Sequence, residues 1–153
     1  MKTPILPFQQ IEIIEYSLLM SQSYRNFTGK VLIEGHDLAS DLYYAPFPLV
    51  SHGNQRDPIL RYGNLKAQQL WGMSWDELVR MPSRLTAEPE VAQERQRLLD
   101  EASNKGYVDN YRGIRISKDG RRFNVDKTIL WNVVDSEGTK YGQAAKIGQW
   151  DWL

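Results

Sequence analysis

The sequence predicts an α+β fold in which a five-stranded antiparallel sheet is covered by a lid of short helices and preceded by N-terminal helices. Asp119-Gly120 stands between two extended runs, which is among the strongest short signals of a β-hairpin. Apolar and polar side chains alternate through residues 122–134, as in a strand with one buried face. Short capped helical segments precede this hairpin, so we expect them to pack on the buried face of the sheet.

Two helices are predicted before the sheet. Apolar residues recur at three- and four-residue spacing through residues 8–28. Residues 37–44 predict a shorter helix, which ends before Pro46 because proline disfavours the helical conformation in the residue that precedes it. We therefore expect residues 1–45 to form a helical extension and residues 46–153 to form the sheet-containing domain.

Two short strands and a row of helices are predicted next. Residues 47–53 and 59–62 are short extended runs joined by a turn. Asn64 and Ser74 are suitable N-cap residues for two short helices, and a glutamate three residues after Ser74 completes a capping box. A longer helix is expected over residues 89–105, with proline in its first turn.

The last third of the chain predicts a three-stranded meander over residues 107–117, 122–134 and 139–150. Lys127 shares the strand parity of the apolar residues of the middle strand. Either it faces the buried side, where it would anchor an anionic or carbonyl-bearing ligand, or a bulge returns it to water, which is the interpretation we favour. The apolar residues of that parity are Phe123, Val125, Ile129, Trp131 and Val133.

Composition excludes several classes of protein. The 19 Lys and Arg residues balance 19 Asp and Glu residues, so we expect no nucleic-acid partner. The chain has no cysteine, which excludes disulfides, thiolate catalysis, cysteine-based zinc sites and a cysteine–flavin photoadduct. Neither a signal peptide nor an apolar run long enough to cross a membrane is evident, so we expect a cytoplasmic protein without a membrane partner.

Several motifs resemble those of a known family. Residues 59–78, with a strand, an Asn-capped helix, a glycine turn and a capping-box helix, resemble the PAS superfamily. The chain resembles more closely the PAS-related MEKHLA domain family, found alone in bacteria and at the C-terminus of plant class III homeodomain–leucine-zipper proteins. The resemblance implies a PAS-like fold and a sensing or dimerisation role, with no established ligand or reaction. The matching motifs are residues 49–52 (LVSH), 81–89 (MPSRLTAEP), 113–117 (GIRIS), 120–123 (GRRF), 131–132 (WN) and 142–145 (GQAA).

A pocket between the sheet and the helices is the predicted ligand site. Trp131 is the strongest candidate for its wall, because it lies in the middle of a strand on the inward face. Arg84 could hold a ligand carboxylate with two hydrogen bonds, although an ion pair with Glu88 or Glu94 is favoured. Arginines 112, 115, 121 and 122 are interpreted as a solvated outer face. The candidate pocket residues are His52, Trp71, Arg84, Tyr111, Lys127, Trp131 and Gln143.

Neither catalysis nor a metal or other cofactor is predicted. Ser51 and His52 are adjacent on a strand and face opposite sides, so they cannot act together as nucleophile and base. His36 and His52 are too few for a metal centre, and the long helix has no axial histidine for heme. The alternative is a small isomerase or dehydratase on a cone-shaped α+β barrel, using Asp109 or Tyr111 as acid or base.

We therefore expect a sensory or interaction domain that binds a small ligand, forms a homodimer, or does both. The dimer would form through the N-terminal helix or through a face of the sheet. The same helix could equally cover the outer face of the sheet within one subunit.

Overall fold

The computed structural model describes residues 5–89 and 92–153. A 3-10 turn at Pro7–Gln9 is followed by helices α1 (Ile11–Thr28) and α2 (Leu38–Tyr43), which confirms the two helices predicted before the sheet. Helix α1 ends at Gly29, whose φ of 73° is a conformation that glycine adopts without steric cost. Among the described residues, no helix combines the length and the apolar character that crossing a bilayer requires.

The middle of the chain contains two short strands and the helical lid. Asn64 and Ser74 cap two short helices as predicted, each accepting a hydrogen bond from a backbone N–H of the first turn. The predicted start of the long helix adjoins residues 90 and 91, which lie outside the described residues. The elements are β1 (Leu49–His52), β2 (Leu60–Gly63), α3 (Leu65–Trp71), α4 (Trp75–Leu78), a 3-10 turn (Ser83–Thr86) and α5 (Ala92–Lys105).

The sheet has six antiparallel strands, one more than predicted. Its remaining strands are β3 (Tyr107–Ile116), β4 (Arg122–Val134), β5 (Lys140–Lys146) and β6 (Gln149–Trp152). The order across the sheet is β2-β1-β5-β4-β3, and β6 pairs with β4 beyond the end of β5. The last strand was predicted as one element, but the chain leaves the sheet at residues 147–148 and so forms two strands along the same edge of β4.

A β-bulge in β4 explains this division. Tyr111 pairs with Thr128 but Gly113 pairs with Val125, so β4 carries one extra residue, Lys127, at a φ of 48°. On the other edge of β4, a side chain at Gly148 would place its Cβ 2.4 Å from the carbonyl oxygen of Lys127. The gap between β5 and β6 therefore accommodates the bulge.

The bulge reverses the two faces of β4. Phe123 and Val125, before the bulge, pack on the lid side of the sheet, whereas Trp131 and Val133, after it, pack on the α1 side. The prediction that these residues share one buried face is therefore wrong, because one inserted residue moves every later side chain to the opposite face. Helix α1 covers the outer face within one subunit, the second of the two arrangements expected for it.

Buried Asn64 joins three elements of the fold. Its Oδ1 accepts hydrogen bonds from the N–H groups of Leu49 (3.0 Å) and Ala67 (3.1 Å). Its Nδ2 donates to the carbonyl oxygens of Leu42 (3.0 Å) and Phe47 (2.9 Å). One side chain thus ties α2 and the segment before β1 to the start of β1 and the first turn of α3, and both β1 and α3 contribute residues to the candidate site.

Candidate functional site

A cavity of about 230 Å³ lies between the sheet and the helical lid. Val50, Ala145 and Leu130 are in register across β1, β5 and β4 and form its floor. Trp71, at the C-terminal end of α3, and Leu98, in the middle of α5, contribute to its roof. An engineered apolar cavity of about 150 Å³ holds one benzene molecule, so this cavity has room for a somewhat larger ligand.

The segment after α4 closes the roof and is held by specific hydrogen bonds. The Thr86 hydroxyl donates to the carbonyl of Ser83 (2.7 Å), which fixes the 3-10 turn. The indole N–H of Trp71 donates to the carbonyl of Thr86 (3.2 Å), and Ala87 forms a β-bridge with Arg115. The roof is therefore tied both to α3 and to β3.

One wall of the cavity carries an arginine and a tyrosine from β3. Nη1 of Arg115 donates to the hydroxyl of buried Tyr111 (3.1 Å), and the guanidinium carbon lies 5.2 Å from the centre of the tyrosine ring. Gly113 stands between them, and a Cβ there would lie 2.4 Å from the Tyr111 oxygen. The missing side chain of Gly113 thus leaves space for the pair.

His52 and Gln143 lie together on the opposite side of the cavity. They are register partners on β1 and β5, and both line the cavity. His52 Nδ1 lies 2.9 Å from the carbonyl oxygen of Gly53, which can only accept, so Nδ1 carries the proton of the neutral ring. Nε2 of that ring is then a hydrogen-bond acceptor.

A buried hydrogen-bond chain connects this side of the cavity to α1. The Ser51 hydroxyl donates to the carbonyl of Gln143 (2.7 Å), and the Tyr16 hydroxyl lies 2.6 Å from Ser51 Oγ. Because Ser51 gives its proton to the carbonyl, Tyr16 donates to Ser51. Burial raises the pKa of Tyr16 above its ordinary value, although this hydrogen bond opposes the shift.

The structure brings four of the predicted pocket residues together and separates the other three from them. His52, Trp71, Tyr111 and Gln143 line the one cavity. Arg84 does not, because its side chain is 64% exposed and its Nε lies 3.1 Å from Asp57 Oδ2. The predicted partners of Arg84 were wrong, since Glu88 pairs with Arg122 and Glu94 with Arg97.

Lys127 and Trp131 also lie outside the cavity. Lys127 is exposed at the bulge, where its N–H donates to the side chain of Asp126 (2.7 Å), so the bulge interpretation is confirmed. Trp131 lies on the α1 side, where its indole N–H donates to the carbonyl of Met20 (3.1 Å) and its ring meets that of Tyr24 edge-on. Its assignment to the pocket wall is wrong for the same reason, the change of face at Lys127.

The sequence interpretation missed Arg115, which was assigned to a solvated outer face. Arg115 is half-buried and lines the cavity. Its strand parity with Tyr111, four residues earlier, was the available signal, because alternate residues of a strand share a face.

The residues proposed for the alternative enzyme are not arranged as an acid and base. Asp109 is exposed on β3, whereas the alternative required a buried group. The Tyr111 hydroxyl accepts from Arg115. Across residues 5–89 and 92–153, no three His, Asp or Glu side chains come together as a metal centre would require.

Comparison with known proteins confirms the resemblance seen in the motifs. A family model described as the MEKHLA domain matches residues 14–152. No curated protein matches the chain. Among solved structures, the PAS domain of a protein from Colwellia psychrerythraea superposes with a TM-score of 0.61 at 14% identity, covering 71% of this chain and 90% of that one.

Two blue-light photoreceptors have a similar fold. The light-state dimer of the fungal photoreceptor Vivid gives a TM-score of 0.61 at 14% identity, covering 97% of this chain and 100% of that one. The dark structure of the aureochrome 1 LOV domain gives 0.54 at 19% identity, covering 78% and 88%. These similarities establish the PAS fold.

Proposed function

Since this chain belongs to the MEKHLA domain family and has the PAS fold, we propose that it is a sensory domain whose input is a small molecule bound between the sheet and the lid. The observation that carries the proposal is the cavity of about 230 Å³. Ligand sites are mostly apolar with a few polar groups that fix orientation, and this cavity has that character. Its polar groups include those of Arg115, Tyr111, His52 and Gln143.

The proposed role is recognition without chemical change. Asp109 faces solvent, and the Tyr111 hydroxyl is hydrogen-bonded to a permanently charged arginine that cannot take up its proton. A general base must lie within hydrogen-bond reach of the proton that it removes. These placements support a binding site rather than an acid–base site.

Filling the cavity tests this function. Ala145→Phe adds a ring to the centre of the floor, whereas Ser136→Phe adds the same ring to an exposed turn. We expect indole and toluene, at millimolar concentration, to raise the melting temperature of the wild type and of Ser136→Phe but not of Ala145→Phe. An equal rise in all three proteins, or no rise in the wild type, would contradict a ligand-binding cavity.

A second proposal is that the domain transmits its state by forming a homodimer through α1. Tyr16, Met20 and Tyr24 of this helix pack on the sheet. Ile11 (71% exposed), Ile14 (45%) and Leu18 (48%) form an apolar stripe on the other side, with the spacing of one helix face. A two-fold axis would bury the stripe of one copy against that of a second.

Light scattering after size-exclusion chromatography tests the dimer. We expect the wild type to have twice the 17.8 kDa mass of one chain, and Leu18→Glu to have the mass of one. Val31→Glu is the matched control, because Val31 has the same exposed fraction, 48%, but lies outside α1. A monomeric wild type, or a Leu18→Glu variant that stays dimeric, would refute this arrangement.

A further inference from the structure

On the basis of the proposed function, we propose that the cavity selects a small monocarboxylic acid with an aromatic or branched apolar body. Arg115 would bind the carboxylate of this acid.

The charge of Arg115 has no anionic partner in the described part of the protein. None of the ion pairs formed by residues 5–89 and 92–153 includes Arg115. Other arginines on the same hairpin do have partners: Arg112 pairs with Asp126, and Arg122 pairs with Glu88. A guanidinium stays charged at physiological pH, and a charge in a partly buried site is stabilised by an opposite charge. The group that complements this wall of the cavity is therefore an anion.

The setting of Arg115 favours a carboxylate among anions. The guanidinium is a planar fork with five donors, which matches the two oxygens of a carboxylate. The Tyr111 hydroxyl accepts from Nη1 at 3.1 Å and so restrains the orientation of the fork. Gly113 provides the space for this pair, so the donors are positioned before a ligand arrives.

The floor and the roof of the cavity select the body of the ligand. Its floor is aliphatic, from Val50, Leu130 and Ala145, and the roof adds Trp71 and Leu98. Such a surface favours apolar atoms over a second charge, because burying an unpaired charge is costly. The volume of about 230 Å³ suits a single ring or a short branched chain. The combination of one anionic end and a compact apolar body defines the class.

Matched acids and amides test this inference by isothermal titration calorimetry. The probes are phenylacetate with phenylacetamide, and 4-methylpentanoate with 4-methylpentanamide. We expect each acid to bind the wild type at least tenfold more tightly than its amide. Arg115→Gln should weaken the acids at least tenfold and the amides by less than twofold. Arg84→Gln is the control, because that arginine is exposed and pairs with Asp57 outside the cavity.

The outcomes separate this inference from the proposed function. Amides that bind the wild type as tightly as the acids would overturn the carboxylate assignment while leaving the cavity a ligand site. Failure of all four probes, together with failure of indole and toluene, would overturn both. If circular dichroism shows that Arg115→Gln is unfolded, Arg115→Lys keeps the charge without the fork. A loss of acid binding of less than threefold in Arg115→Lys would also overturn the bidentate role.

Discussion

Removal of the Asn64 side chain is the most informative test of how this fold is held together. Asn64→Ala deletes four hydrogen bonds from a residue that has no exposed surface. It leaves the N–H groups of Leu49 and Ala67 and the carbonyls of Leu42 and Phe47 without the partner that they share. Because these groups belong to α2, β1 and α3, we expect the loss to be felt across the whole domain.

The expected cost follows from two contributions. Replacing a good N-cap by alanine costs about 1 kcal/mol, and this covers the bond to Ala67. The N–H of Leu49 is buried, and a buried group left unsatisfied costs about 1–3 kcal/mol, whereas the carbonyl of Leu42 keeps its hydrogen bond from the N–H of Ala45 (3.3 Å). We expect a total of about 2–4 kcal/mol from these two contributions. Domains of this kind are stable by only about 5–15 kcal/mol, so the effect should be large.

Urea unfolding followed by far-UV circular dichroism measures this cost as a change in midpoint at constant slope. Ser74→Ala is the matched control, because Ser74 is also an N-cap with a bond to a backbone N–H but is exposed to solvent. We expect about 1 kcal/mol from that variant. If Asn64→Ala cost no more than Ser74→Ala, the reasoning about buried polar partners would be refuted.

Two further substitutions test single features of the structure. The Tyr62 hydroxyl is buried without a hydrogen-bond partner among the described residues, so Tyr62→Phe should leave stability unchanged or raise it by up to about 1 kcal/mol in urea unfolding. Burial raises the pKa of Tyr62, and the charge of Tyr43 adds to the shift. The folded state therefore keeps a proton that the unfolded state loses near pH 10. This stabilisation is complete below pH 10 and falls as the pH rises through the folded pKa, so Tyr62→Phe should reduce the alkaline loss of stability. If stability fell with rising pH as steeply in Tyr62→Phe as in the wild type, this prediction would be wrong. Lys127→Gly should raise the free energy of unfolding by about 1 kcal/mol, because Lys127 has a φ of 48° that glycine adopts more easily. A loss of stability in that variant would show that the lysine side chain contributes more than its backbone conformation costs.

The parts of the fold that sequence reasoning predicted are those set by local chemistry. Asn64 and Ser74 identify helix starts because their side chains bond to nearby backbone groups. Asp119-Gly120 identifies the hairpin because Gly120 adopts a positive φ of 85°. The strand predicted over residues 122–134 has those same limits in the structure.

The parts that were not predicted depend on contacts distant in sequence. The extra residue at Lys127 is fixed by pairing with β3 and by the close approach of Gly148, neither of which the local pattern of β4 reveals. For that reason Trp131 was assigned to the wrong face. Arg84 and Arg115 were interpreted in the opposite sense, because the direction of each depends on how the segment after α4 crosses β3. The cavity itself was expected, but its lining required the register of the sheet.

The change of face at Lys127 has a consequence for how this domain can diversify. After the bulge, neighbouring residues of β4 face opposite sides of the sheet: Leu130 contributes to the cavity floor and Trp131 packs under α1. Side chains on opposite faces of a strand contact different neighbours. The lining of the cavity can therefore change one position at a time while the packing under α1 stays the same, so related domains can differ in the cavity and still keep the same helix-covered side.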